Sequence, residues 1–135
     1  MAKALSHDKL GITFAEHGAL IGTRYMLAGG ILKHTPGVFG VGHGNKHSFN
    51  MSISCDVVGC GSVSCIGGTM AMIMGMRDPY DAEHYVCNAW GELGKLFYPN
   101  HPSVSMYDIT VEQSIRAIDN FLTTGRAKWH KVLGE

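Results

Sequence analysis

From Val63 to Met76 the chain carries no charged residue, and apolar side chains fall on every side of the run when it is wound as a helix. Such a segment needs cover all round, so it predicts a central, buried helix with other elements packed about it. The run is too short to span a bilayer and is interrupted by Gly67, Gly68 and Gly75. Ser62 is the expected N-cap. Gly67 and Gly68 would let a neighbouring helix approach closely.

The remaining punctuation supplies the partners of that helix. Thr13-Phe14-Ala15-Glu16 reads as a capping box and opens a helix to about Ala28. Leu20, Leu27 and Ile31 form its stripe, with Ile21 and Ala28 beside it. Asp78 or Asp81 caps a helix running to about Phe97, whose core stripe is Val86, Trp90, Leu93 and Phe97. Thr110-Val111-Glu112-Gln113 is a second capping box. Its helix carries Val111, Ile115, Ile118 and Leu122 and stops at Gly125. Between the first and second helices, Phe49, Met51 and Ile53 alternate with polar residues like a half-buried strand, and Val38, Phe39 and Val41 are candidate hairpin partners. The expected fold is therefore mainly α. It is a compact bundle of about four helices with the central apolar helix near 62–76 and room for a short β-hairpin within 37–54. At 135 residues the chain is expected to form a single domain, 1–135.

Composition narrows the function classes. Eleven basic and eleven acidic residues give zero formal charge, so nothing favours nucleic acid or an anionic membrane. Charged residues make up only 16%, which leaves apolar surface for a protein partner or a homodimer. Eight methionines suit an adaptable binding surface as well as a core. The start, Met1 to Asp8, lacks the apolar core of a signal peptide, and four cysteines without one fit reduced thiols in the cytoplasm.

Chemistry, if present, should gather around the cysteines. His43, His47, Cys55, Cys60 and Cys65 lie within one stretch and offer the thiolate and imidazole donors that zinc takes. Their five-residue Cys spacing is looser than that of structural zinc sites. Cys65, placed in the first helical turn, is also a candidate catalytic thiol, since a helix N-terminus stabilises thiolate. The plainer reading of Cys60 and Cys65 is small buried residues at a helix start. Gly59-Cys60-Gly61-Ser62 before a helix could hold an anion, but it lacks the lysine of a phosphate loop. The basic stretch Arg126–Lys131 around Trp129 reads as a solvated helix end with the indole folded back on the body.

Phe49-Asn50-Met51, Cys60-Gly61-Ser62, Cys65-Ile66-Gly67-Gly68 and Ile109-Thr110-Val111-Glu112-Gln113 resemble a recurrent group of small uncharacterised bacterial and phage proteins. These carry Cys-Gly-Ser/Thr-x-x-Cys-Ile-x-Gly and a helix opened by Ile-Thr-x-Glu-Gln. The likeness spans roughly residues 49–125 through short motifs. Members often have His after the second glycine, where this chain has Thr69, which counts against any shared chemistry needing that His. The resemblance implies a bacterial or phage setting and no mechanism. The expectation is a non-enzymatic interaction protein (a regulator, inhibitor or counter-defence factor) acting by protein–protein binding, with no cofactor. The alternative is a zinc- or thiol-dependent enzyme using the His43/His47/Cys55/Cys60/Cys65 segment.

Overall fold

The computed structural model describes residues 3–30, 33–34, 47–49, 56–58, 61–76, 79–99 and 109–134, and in 33–34, 47–49, 56–58, 61–64 and 79 the backbone alone. These residues are mainly helical. In chain order they form α1 (His7–Leu10), α2 (Phe14–Ala28), β1 (Lys33–His34), β2 (His47–Phe49), β3 (Asp56–Val58), β4 (Gly61–Ser64), α3 (Ile66–Ile73), α4 (Pro79–Asn88), α5 (Gly91–Phe97), α6 (Val111–Thr124) and α7 (Trp129–Val132). Among the described residues, no helix is long and apolar enough to cross a membrane.

Local chemistry sets the helix ends. Thr13 Oγ1 accepts from Glu16 N–H at 3.0 Å, and Glu16 Oε1 accepts from Thr13 N–H at 2.9 Å, closing the expected capping box of α2. Thr110 and Gln113 do the same for α6. Gly125, at φ +85°, ends α6 with its N–H on the Phe121 carbonyl. Gly75, at φ +98°, ends α3: its N–H bonds to the Met72 carbonyl, and the Met76 N–H reaches back to Ala71. Those two bonds make a Schellman motif, which needs a left-handed residue at that point.

α3 is central, as its composition requires. Ile66 to Ala71 are buried, and the helix packs against α2, α4 and α5. Gly67 permits this. A Cβ there would lie 2.8 Å from Val86 Cγ2 and 2.9 Å from Phe97 Cδ2. The buried core joins Leu20 and Leu27 of α2 to Ile66 and Met70 of α3, and to Phe97, Ile118, Phe121 and Leu122 beyond. Both ends of the described chain close over it. Leu5 N–H bonds to the Leu122 carbonyl at 2.7 Å, and Trp129 Nε1 donates to the Leu96 carbonyl at 3.0 Å.

Four expectations need correction. Ser62 is not a helix cap. It lies in β4, paired with His47 on one side and Val57 on the other. Val57, Val58 and Val63 favour strand, so the N-cap of α3 falls three residues later, at Cys65. The helix expected to reach Phe97 is broken at Ala89–Trp90, where Gly91 takes φ +67°. Trp90 is consequently 87% exposed and is no part of the core. Ile21 and Ala28 also lie outside the covered stripe of α2. Finally, the count of about four helices merged α4 with α5 and left out the one-turn helices α1 and α7.

The strands form a small mixed sheet in the order β1-β2-β4-β3. β2 pairs in parallel with both β1 and β4, while β3 and β4 pair antiparallel. The observed antiparallel pair therefore joins 56–58 to 61–64. The expected hairpin partners Val38, Phe39 and Val41, and Met51 and Ile53 of the expected strand, lie outside the described residues.

Candidate functional site

The cysteine and histidine segment is described only in part. His43, Cys55 and Cys60 lie outside the described residues, and His47 is described by its backbone in β2. Cys65 is the N-cap of α3, and it is 1% exposed. Its Sγ accepts from Gly68 N–H at 3.3 Å, and its carbonyl accepts from Thr69 N–H at 2.9 Å and from Thr69 Oγ1 at 2.7 Å. Thr69 thus serves the first turn of α3. The thiol is buried. Among the described residues, no group of three or more His, Cys, Asp or Glu is arranged to hold a metal ion.

A described concavity lies elsewhere. It is a cleft of about 900 Å³ between the α1–α2 junction and the α4–α5 pair. Helical spacing positions one wall: Tyr80, Asp81, His84, Tyr85 and Asn88 lie on successive turns of α4. The Tyr80 and His84 rings pack with centroids 5.0 Å apart. The break between α4 and α5 throws Trp90 outward to form the rim. Glu16 enters from the first turn of α2. Its Oε2 accepts from the Tyr85 hydroxyl at 2.7 Å while Oε1 stays in the capping box, so two donors hold the carboxylate at the base of the cleft. Burial and the Glu16 contact push the Tyr85 phenol far above the usual tyrosine range, so Tyr85 donates this bond at every physiological pH.

No family model, curated protein or solved structure matches the chain. The cleft's chemistry must therefore be read from its own side chains. Among the described residues it is lined by three carboxylates, Glu16, Asp81 and Glu92, and by no lysine, arginine, serine, threonine or cysteine. Among the described residues, His84 is the only lining group that can become cationic. Glu92 meets Lys95 at 3.2 Å on the solvent side, where both side chains are exposed and the pair is weak. Aromatic faces beside carboxylates suit capture of a cation.

The residues of this site were individually visible in the sequence, but their grouping was not. The stripe Val86, Trp90, Leu93 and Phe97 argued for a buried indole. The contrary signal was Gly91, directly after Trp90.

Proposed function

We propose that the protein is a non-enzymatic interaction protein that binds a basic segment of a partner protein in the cleft between α2 and the α4–α5 pair. One observation carries the reading: Trp90, 87% exposed, stands over a carboxylate-lined cleft that contains, among the described residues, no basic side chain other than His84. An arginine from the partner would stack its guanidinium on the indole and pair with Asp81 or Glu16. Trp and Tyr at the centre of an interface are also the residues that most often dominate binding energy. The resemblance to bacterial and phage proteins and the free-thiol composition favour the bacterial cytoplasm as the setting, with a regulator or inhibitor as the role.

The test is a fluorescence titration with an arginine-rich peptide, with a glutamate-rich peptide of equal length as control. The basic peptide should change Trp90 emission and lose affinity as salt rises. Trp129, 7% exposed, serves as an internal reference. Trp90→Ala should weaken binding at least tenfold and leave the fold intact. Equal binding of both peptides, or no loss in Trp90→Ala, would refute the reading.

The rival is an enzyme built on His43, His47, Cys55, Cys60 and Cys65. The Gly68 N–H bond to Cys65 Sγ is the observation in its favour, since a donor at a helix N-terminus favours thiolate. Metal content of untagged protein separates the two. About one zinc per chain, lost on Cys60→Ser with Cys65→Ser, supports the rival. Peptide binding that survives those substitutions supports the interaction protein.

A further inference from the structure

α2 is apolar on two sides, and only one is covered. Ala19, Leu20, Thr23 and Leu27 face the core. At 100° per residue, Phe14, Gly18, Ile21, Tyr25 and Ala28 fall together on the opposite side. Their spacing of four, three, four and three residues is that of a coiled-coil seam. All five are exposed, Phe14 at 77% and Tyr25 at 71%. No charge lies on this stripe. The helix's two charged residues other than histidine are turned away from it: Glu16 to Thr13 and Tyr85, and Arg24 to Asp119, which it holds through both Nε and Nη2. Ile73 of α3, 43% exposed, extends the stripe sideways beside Gly22.

Along the chain the stripe reads large, small, medium, large, small. We propose that it pairs with the same stripe of a second copy of this chain, the two α2 helices running antiparallel about a two-fold axis at Ile21. In that arrangement Phe14 meets Ala28 of the second copy, Tyr25 meets Gly18, and Ile21 meets itself. Large faces small on either side of the central Ile21 pair, which is the self-complementarity a two-fold interface requires. A parallel pair would set Phe14 on Phe14 and leave a gap where Gly18 faces Gly18. The space is there to be filled, because a Cβ at Gly18 would have nothing within 4 Å. Phe14, Tyr25, Ile21 and Ile73 together leave on the order of 400 Å² of apolar surface bare. That is about half of what one partner contributes to a standard interface, ~800 Å². It fits the apolar centre of a small, concentration-dependent dimer. Glu16 lies on the other side of α2, so this dimer and the binding in the cleft stand or fall separately.

Light scattering and sedimentation over a dilution series test the proposal. The wild-type chain should pass from one chain mass to two as concentration rises. Gly18→Arg and Ile21→Glu, both at exposed positions, should keep helical circular dichroism and stay at one chain mass throughout. The orientation has its own readout in protein carrying Cys87→Ser. There Ile21→Cys should oxidise to a covalent dimer beyond its parent, and Phe14→Cys should not. A wild-type chain that stays monomeric throughout, or a dimer that survives Gly18→Arg, overturns the proposal. Cross-linking through Phe14→Cys in place of Ile21→Cys overturns the antiparallel arrangement.

Discussion

Replacing Gly67 by alanine adds one methyl group to the first turn of α3, and the structure gives it no room. The new Cβ would lie 2.8 Å from Val86 Cγ2 and 2.9 and 3.0 Å from two atoms of the Phe97 ring. Both neighbours are 1% exposed and held in the core, so neither can swing into solvent. Overpacking of this kind costs ~1–3 kcal/mol, and two such contacts place it in the upper part of that range. Alanine's better helix propensity returns about 1 kcal/mol. The net expectation is a loss of about 1–2 kcal/mol, equivalent to roughly 4–8 °C in Tm. Gly18→Ala is the matched control. It has the same chemistry on a helix and no neighbour within 4 Å, so in dilute solution it should gain about 1 kcal/mol. Urea unfolding of both variants, read as a shift in midpoint at constant slope, measures the difference. If Gly67→Ala proves as stable as wild type, α3 does not pack against Val86 and Phe97 as closely as described.

Two further outcomes follow from the same structure. Tyr85 and Tyr98 both titrate above the ordinary value of 10.0; burial raises Tyr98 to about 12, helped by its hydrogen bond to Cys87. A raised folded value means that the unfolded chain loses these protons first. The associated stability is therefore present below pH 10 and is lost for Tyr98 as pH rises towards about 12, and for Tyr85 higher still. Urea midpoints should fall across that window, and Tyr85→Phe should flatten the fall; an unchanged profile in the variant contradicts this. Brief native-state alkylation, mapped by mass spectrometry, should label exposed Cys87 and spare Cys65. Fast labelling of Cys65 would instead favour the thiol enzyme.

What the sequence could show was local. The capping boxes at Thr13 and Thr110 and the stop at Gly125 are each decided within a few residues, and the structure has all three. The centrality of α3 was legible too, because a run without charge has few other places to go. The misreadings came where distant segments decide. Ser62 looks like an N-cap until β3, its neighbour in the chain, and β2, from across the intervening segment, bind β4 from both sides. Trp90 sits at core spacing, but Gly91 ends the helix before that spacing can act. The cleft draws on residues 10–16 and 76–93, and no periodicity within either piece marks a shared wall.

The hydrogen bond between Leu5 and Leu122, and the ion pair between Arg24 and Asp119, link residues made early to residues made late. On the ribosome, α2 therefore emerges long before α6 exists to complete the cover that α3 begins over its core face. Trp129 reaches the Leu96 carbonyl later still. A nascent chain in this condition shows apolar surface on both sides of its first long helix, the circumstance in which newly made proteins aggregate or recruit chaperones. Closure that waits on contacts so far apart in the chain is also slow. Contacts from the late-made α6 and α7 thus complete a core that the earlier helices close only in part.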